Sequence, residues 1–152
     1  MARSWTEDHD LLHNVSENVL QSMSAYPRKL VHTDELVHKH DLPFMEIQLI
    51  AILASREMTI PEASRTINVA KTNLALLTRH LINRGYVERV IDPSDKRRGI
   101  LHLTALGYVE YEKIRESVEE QLKKNLSLDL ARTDILVLLK AVKQINDILN
   151  RI

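Results

Sequence analysis

Residues 59–103 constrain the fold more than any other part of this sequence. Thr59 stands three residues before Glu62, with Pro61 between them, which is the spacing of a capping box that opens a helix. A short helix is therefore predicted over about residues 60–67.

A sharp turn and a second helix are predicted next. Asn68 can take the left-handed backbone conformation that bulky residues avoid, so the chain can turn there before a helix over about residues 70–83. Gly85 is expected to end that helix. Two helices joined this closely form a helix-turn-helix.

The second helix is amphipathic at the 3.6-residue period, so its two faces can be assigned. Leu74, Leu77 and Leu81 share one side, which we expect to be buried. The opposite side carries small polar groups and a cation and no carboxylate, as a helix in the major groove of DNA requires. A merely solvated face is the alternative. The residues on or beside this outward face are Thr72, Asn73, Ala75, Leu76, Arg79, His80 and Asn83.

A β-hairpin is predicted directly after the second helix. Residues 86–91 are a β-branched and aromatic run, residues 92–95 have the composition of a turn, and residues 100–103 alternate like a returning strand. Three cations lie between the strands, where a hairpin beside a helix-turn-helix could bring them to a minor groove. Loop cations are often only solvated, but this position favours a DNA-binding wing. They are Lys96, Arg97 and Arg98.

At these residues the chain resembles the MarR family of winged-helix transcriptional regulators. Residues 92–98 are similar to the family's D-x-x-D-x-R-R wing, residues 101–107 to its L-x-L-T-x-x-G exit into the next helix, and residues 84–87 to its R-G-apolar-apolar motif. Two residues depart from the family pattern. Ala70 replaces a frequent Ser or Thr cap, which costs on the order of 1 kcal/mol, and Leu76 replaces a frequent Arg and so removes a DNA contact.

The resemblance implies a fold that is mainly α with a small β-hairpin wing. A single MarR-like domain would span residues 1–152, with a winged helix-turn-helix lobe at residues 42–103 and a helical dimerisation lobe formed by residues 5–40 and 104–152. It further implies a sequence-specific transcriptional regulator, usually a repressor, that binds a pseudo-palindromic operator in double-stranded DNA as a homodimer. A small, often aromatic or anionic, ligand would bind between the two lobes and shift the spacing of the recognition helices. No cofactor is expected.

The distribution of charge agrees with DNA binding although the net charge is zero. Residues 56–102 hold nine Lys and Arg against five acids, whereas residues 1–55 hold four against eight. The basic central third is a local footprint for phosphate contact, and its modest excess favours binding through two copies. The absence of cysteine excludes disulfides, Cys-based zinc sites and a thiol nucleophile. Without a signal-like N-terminus or an apolar run of membrane-spanning length, a cytoplasmic location is expected.

The predicted last helix, residues 133–152, carries an unbroken heptad seam. A symmetric dimer built on this seam would place two recognition helices on one side, at half-sites about 34 Å apart. The alternative is that the seam packs only within its own subunit. Its residues are Ile135, Leu138, Val142, Ile145, Leu149 and Ile152.

Two further helices frame the central stretch. Residues 44–54 are predicted to form a buried helix behind the helix-turn-helix, and Thr104 is predicted to cap a long helix that runs to about Lys124. The apolar contacts expected on the long helix are Leu106, Val109, Ile114, Val118 and Leu122.

Four residues of the second helix are the candidate DNA contacts of the helix-turn-helix. Asn73 could read adenine through two hydrogen bonds, and Thr72 could contact a base or a phosphate. Lys71 and Arg79 are expected to neutralise phosphates.

Four residues of the hairpin loop complete the candidate interface. Arg97 is the best single candidate for a minor-groove contact, and Asp95 is placed to hold its guanidinium in position. Lys96 and Arg98 are candidates for phosphate contact.

Other classes of function have weaker support. His9 and His13 lie four residues apart, and His32, His38 and His40 cluster near acids, which leaves a metal-responsive regulator as an alternative. No specific metal motif frames these histidines, so no metal site is assigned. With three glycines, no phosphate-binding loop and no G-x-S-x-G motif, the chain is not expected to be an enzyme. A winged helix that binds a protein partner is the remaining alternative.

Replacement of Arg97 by Ala is predicted to weaken binding to operator DNA and to leave the melting temperature nearly unchanged, because the side chain is expected at an exposed loop tip. A mobility-shift titration beside a thermal melt measures both quantities. Unaltered DNA affinity would contradict the assignment.

Overall fold

The computed structural model describes residues 9–25, 29–95, 98–126, 130–149 and 151. The chain divides into two compact units, one of residues 33–118 and one that combines residues 1–32 and 119–152. None of the described helices has both the length and the apolar content to span a membrane. The elements are α1 (His9–Ala25), α2 (Thr33–His40), α3 (Phe44–Ser55), β1 (Met58–Thr59), α4 (Ile60–Thr66), α5 (Lys71–Asn83), β2 (Val87–Ile91), β3 (Gly99–Leu103), α6 (Ala105–Leu126) and α7 (Arg132–Leu149).

A capping box begins α4, as the spacing of Thr59 and Glu62 predicts. The hydroxyl of Thr59 accepts a hydrogen bond from the backbone N–H of Glu62 at 3.4 Å. In return, Oε2 of Glu62 accepts hydrogen bonds from the backbone N–H and the hydroxyl of Thr59, each at 2.7 Å. Hydrogen bonds from the Thr59 backbone and side chain lower the pKa of Glu62, because they stabilise the ionised carboxylate.

Two residues with positive φ shape the chain around α5. Asn68 has φ 52° and allows the tight connection from α4 to α5, as predicted. Gly85 has φ 76° just past the end of α5, and its N–H donates to the carbonyl of Ile82 at 2.9 Å. Both turns follow from local chemistry.

The sheet has three antiparallel strands in the order β1-β3-β2. The predicted hairpin is confirmed: β2 pairs with β3, with Val87 opposite Leu103 and Ile91 opposite Gly99. The short strand β1 pairs with the other edge of β3. This strand was not anticipated, because two residues are too few to show an alternating pattern.

An apolar core holds α3, α5 and the sheet together within residues 33–118. Helix α3 contacts both α5 and β3, and α5 also contacts α4 and β2. The prediction that α3 is buried is confirmed over most of its length, although Phe44 at its start is exposed. The largest fully buried side chains are Leu42, Leu49, Ile50, Leu53, Leu74, Leu81, Val87 and Leu101.

Helix α6 buries a different face from the predicted one. Thr104 caps it as predicted, accepting a hydrogen bond from the N–H of Gly107 at 3.0 Å. The expected apolar stripe is wrong at Leu106 and Val109, which are both about half exposed, and only Ile114 of that set is buried. The helix also continues to Leu126, past the predicted end. The buried face consists of Gly107, Glu110, Ile114, Ser117 and Gln121.

Polar partners explain why α6 can bury a polar face. His40 of α2 lies between two of these residues, with Nδ1 2.8 Å from Oε1 of Glu110 and Nε2 3.0 Å from Oγ of Ser117. A buried polar group costs little when its hydrogen bonds are made. Gly107 is required for the close approach, because a Cβ there would overlap the carbonyl oxygen of Tyr86.

The unit built from the chain ends leaves its last helix uncovered. Helix α7 has no buried residue in its described part. In the predicted seam, Leu138 and Val142 are partly buried, while Ile135, Ile145 and Leu149 are exposed. Ile152 lies outside the described residues. An open apolar groove of about 500 Å³ runs beside the helix and is lined by Leu30, Leu126, Leu130, Val137, Leu138 and Ala141, with Lys29, Asn125 and Asp134 at its edges.

Loss of the capping box is predicted to destabilise the protein. Thr59→Ala removes the hydroxyl from the start of α4, and the free energy of unfolding is expected to fall by about 1 kcal/mol in denaturant titrations. Because these hydrogen bonds lower the pKa of Glu62, their stabilisation should be present at neutral pH and should be lost as the pH falls through that pKa.

Thr66→Ala is the matched control. Thr66 is the last residue of α4, and its hydroxyl donates to the backbone carbonyl of Glu62 without capping the start of the helix. It should change the stability by only about a few tenths of a kcal/mol. Equal losses in the two variants would contradict a special role for Thr59.

Candidate nucleic-acid interface

Helix α5 presents the predicted outward face. Leu74 and Leu81 are completely buried, and Leu77 is partly buried. Thr78 is buried as well, and its hydroxyl has no hydrogen-bond partner among the described residues. The candidate DNA contacts Lys71, Thr72, Asn73 and Arg79 are all exposed.

The two positions that depart from the MarR pattern have the expected consequences. Ala70 precedes α5 and makes no side-chain capping hydrogen bond. The side chain of Leu76 is 61% exposed, so it belongs to the outward face and contributes no hydrogen-bonding group there. An apolar contact with a thymine methyl group is the one kind of base contact that Leu76 could make.

A histidine and a buried carboxylate attach α5 to α3. Nδ1 of His80 lies 2.7 Å from both carboxylate oxygens of Glu46. Glu46 is almost fully buried, whereas half of the His80 side chain remains exposed. The pair fixes the rotation of α5 and directs the other edge of the imidazole ring outward. The sequence placed His80 beside the outward face and contained no local signal for its partner, which is 34 residues away.

Arg84 of the R-G motif has a structural role. Its Nη1 donates to the carbonyl oxygen of Asp41 at 2.8 Å and to Oδ2 of the same residue at 3.2 Å. Its guanidinium also lies 5.5 Å from the centre of the Tyr86 ring. Asp41 has φ 50°, so Arg84 holds a turn between α2 and α3 in the left-handed conformation.

The wing begins with an ordered turn. Oδ1 of Asp92 accepts hydrogen bonds from the hydroxyl of Ser94 at 2.6 Å and from its backbone N–H at 2.8 Å. These bonds lower the pKa of Asp92. The backbone N–H of Asp92 donates to the carbonyl of Arg98 at 2.9 Å, and that of Arg98 donates to the carbonyl of Asp95 at 2.8 Å. Lys96 and Arg97 lie outside the described residues, so their roles stay predictions.

An arginine-lined notch lies between the start of α4 and the hairpin. It has a volume of about 260 Å³, and its cationic lining consists of Arg65, Arg89 and Arg98. Only Arg98 was among the candidates from the sequence. Arg65 and Arg89 are distant in sequence, and their proximity depends on the pairing of β1 with β3.

The histidines do not form a metal site in the part of the chain that the structure describes. No group of three His, Cys, Asp or Glu residues there is arranged to hold a metal ion. Both ring nitrogens of His40 are occupied by Glu110 and Ser117, and His13 lies 3.5 Å from Glu17 on the same helix. The side chain of His9 lies outside the described residues.

Comparison with known proteins agrees with this geometry. A family profile described as a winged helix DNA-binding domain matches residues 45–107. A search of curated proteins found no match.

Several solved structures share the fold over most of the chain. Wild-type MarR from E. coli in its apo form is 21% identical, with a TM-score of 0.65 over 90% of this chain and 94% of that one. A MarR transcriptional regulator from Methanosarcina mazei Go1 is 16% identical, with a TM-score of 0.71 over 90% of this chain and 99% of that one. NadR in complex with 4-hydroxyphenylacetate is 21% identical, with a TM-score of 0.67 over 86% of this chain and 91% of that one.

The fold is mainly α with a three-stranded antiparallel sheet, as expected. It is shared with MarR, which confirms the resemblance that the wing motifs indicated. The matching profile is that of a winged helix DNA-binding domain, and the solved structures that share the fold include a MarR transcriptional regulator. The chain therefore has the fold of the MarR transcriptional regulators, and its residues 45–107 match the profile of a winged helix DNA-binding domain.

Proposed function

We propose that this protein is a homodimeric, sequence-specific DNA-binding regulator that represses transcription and is released from its operator by a small-molecule ligand. The observation that carries the proposal is the outward face of α5. The exposed residues of α5 include two cations, Lys71 and Arg79, and three small polar side chains, those of Thr72, Asn73 and Asn83, and they include no carboxylate, since α5 contains neither Asp nor Glu. A major-groove helix needs such a surface, because phosphates repel carboxylates and base edges require hydrogen-bonding groups.

The residues of α5 divide into two roles in this proposal. Asn73 reads a base, with its amide donating to and accepting from adenine, and Thr72 contacts a base or a phosphate. Lys71 and Arg79 neutralise backbone phosphates and set the affinity without selecting the sequence.

The wing extends the contact beyond α5. Arg97 enters the minor groove, and Asp95 positions it. Lys96 and Arg98 neutralise phosphates on either side. Support for this assignment comes from the ordered turn at Asp92, which fixes the backbone where the loop begins, directly after β2.

Dimerisation supplies the second half of the interface. The described part of α7 exposes a row of large apolar side chains, and isolated soluble proteins rarely leave a continuous apolar stripe in water. A second copy of the chain would cover this stripe across a two-fold axis, and the two recognition helices would then meet half-sites about one helical turn apart. The helical dimerisation lobe is thus assigned to the terminal helices.

A small ligand completes the proposal. The structure of NadR contains 4-hydroxyphenylacetate, an aromatic anion. For this chain we propose a ligand of the same broad kind, small and aromatic or anionic. Such a ligand would bind more tightly to a form of the dimer whose recognition helices do not fit the operator than to the DNA-bound form. The difference between these two affinities sets how far it weakens DNA binding.

The test of DNA recognition compares two substitutions on α5. Operator fragments are first selected from random duplex DNA, and affinities are then measured by fluorescence anisotropy over a range of salt concentrations. Asn73→Ala should cost about 1–3 kcal/mol on the selected site and little on mixed-sequence duplex, because it removes a base contact. Arg79→Ala should weaken both duplexes alike and reduce the salt slope by about one.

Lys124→Ala is the control, because it removes an exposed cation near the end of α6, outside the winged helix domain. It should leave both affinities and the salt slope unchanged. If the wild-type protein ignores duplex DNA at low ionic strength, the regulator proposal fails and a protein-binding role for the winged helix replaces it.

The test of dimerisation places one charge in the apolar stripe of α7. Ile145→Asp should turn the dimer into a monomer at micromolar concentration in sedimentation velocity, because a buried, unpaired carboxylate costs several kcal/mol. Asn146→Asp adds the same charge to the next residue of the helix and should remain a dimer. A wild-type protein that sediments as a monomer would remove the two-half-site part of the proposal.

A further inference from the structure

The side of the hairpin that faces the core is apolar at one end and carries a cation further along. Val87 and Arg89 of β2 share this face with the β3 residues Gly99, Leu101 and Leu103, because cross-strand partners project to the same side. Val87, Leu101 and Leu103 are buried in the core. Further along the hairpin, at Arg89, the same face leaves the core and becomes a wall of the arginine-lined notch.

Glycine at position 99 makes room for the cation. A Cβ on Gly99 would overlap Nε of Arg89 and would lie 2.7 Å from its Cζ. The guanidinium of Arg89 therefore lies directly across the backbone of β3. This placement holds the group at the notch, where it meets Arg65 from α4 and Arg98 from the wing.

Acidic side chains offset the charge of the three guanidinium groups only in part, since Arg98 helps to lower the pKa of both Glu62 and Asp92 from nearby. None of them forms an ion pair with a carboxylate in the described ranges of the chain. Glu62 is the one acid among the lining residues, and its Oε2 already accepts both hydrogen bonds from Thr59. Among the residues that line the notch, three arginines and one carboxylate leave an excess of two positive charges, which favours an anionic ligand.

We propose that this arginine notch is a phosphate-binding site and that, in the regulator proposed above, it receives a backbone phosphate of the bound duplex. Guanidinium groups bind phosphate oxygens through paired hydrogen bonds, and several of them around one cavity give a defined position as well as charge. The inference adds Arg65 and Arg89 to the DNA contacts and gives Arg98 a defined phosphate partner. It rests on the proposed DNA-binding function for the source of the phosphate, but not for the chemistry of the site.

Two probes separate a DNA phosphate from a free one. The first is a mixed-sequence duplex, with affinity measured against salt concentration by anisotropy. The second is inorganic phosphate, titrated into the DNA-free protein while the arginine Nε–H resonances are followed by NMR. Arg89→Gln and Arg98→Gln remove one charge each, and Arg115→Gln removes one from the surface of α6, where it pairs with Glu112.

In the duplex experiment, each notch variant should bind about fivefold to tenfold more weakly at moderate salt, with a salt slope reduced by about one. Arg115→Gln should match the wild type. All three arginines are exposed, so thermal melts of the variants should stay close to that of the parent.

Gly99→Ala tests the position of the cation without changing any charge. It should displace the Arg89 guanidinium and weaken duplex binding by about threefold or more, with the full net charge retained. Since Gly99 is buried, Arg89→Lys provides a second variant that keeps the charge and loses the planar fork, and it should show a loss of similar size. Unchanged affinity in both variants would overturn a built site and leave only a diffuse charge effect.

The combined outcomes distinguish the inference from the function on which it rests. If phosphate shifts the resonance of Arg89 and the notch variants abolish that shift without affecting duplex binding, the site takes a free phosphate group. If the wild type binds duplex, the notch variants bind it equally well and phosphate has no effect, the inference is wrong and the DNA-binding function stands. If the wild type binds no duplex, the proposed function fails, and the phosphate titration alone decides whether the notch is a site.

Discussion

Burial of the leucines on α5 is the interaction on which the rest of the site depends. Leu74 and Leu81 are completely buried against neighbouring elements, and truncation of a buried leucine typically costs about 2–5 kcal/mol. Their burial sets the rotation of the helix about its own axis. The hydrogen bonds between His80 and Glu46 act on the same rotation from the side. As a result, every polar residue of the opposite face is presented to solvent in one fixed orientation.

The hairpin extends this arrangement from one helix to a composite surface. Val87, Leu101 and Leu103 on its inner side are buried and attach the hairpin to the core. Side chains alternate between the two sides of a strand, so Arg89 lies on the same side as Val87, at the edge of the core. The short strand β1 joins the sheet on the far side of β3 and leads directly into α4. One sheet therefore connects Arg65, the cation of α4, with the cations of the hairpin, although they are far apart in the sequence.

Helices α6 and α7 differ in how their side chains are covered. Glu110 and Ser117 can be buried because His40 satisfies both, so a polar helix face packs without a large penalty. Ile145 and Leu149 have no such cover in the described part of their unit. Burial of these side chains would favour the association with a second chain that is proposed above.

Local chemistry in the sequence determined the elements around α5 and where they begin and end. Thr59 with Glu62, Asn68 and Gly85 act within a few residues of themselves, so the start of α4, the turn before α5 and the end of α5 could all be predicted. The hairpin and the exposed face of α5 followed from periodicity in the same way. The resemblance to MarR regulators rests on the motifs of the hairpin and its flanks, at residues 84–87, 92–98 and 101–107.

Only the tertiary structure decided which distant residues became partners. His40 meets Glu110 across 70 residues, so that α6 buries polar residues beside Ile114 while the predicted contacts Leu106 and Val109 stay exposed. Arg65 and Arg89 come together only because β1, β3 and β2 form one sheet. Such contacts depend on how the elements pack. A buried hydrogen bond or a shared cavity stabilises the fold only when both partners are in place. The sequence pattern of either segment alone therefore cannot predict the contact between them.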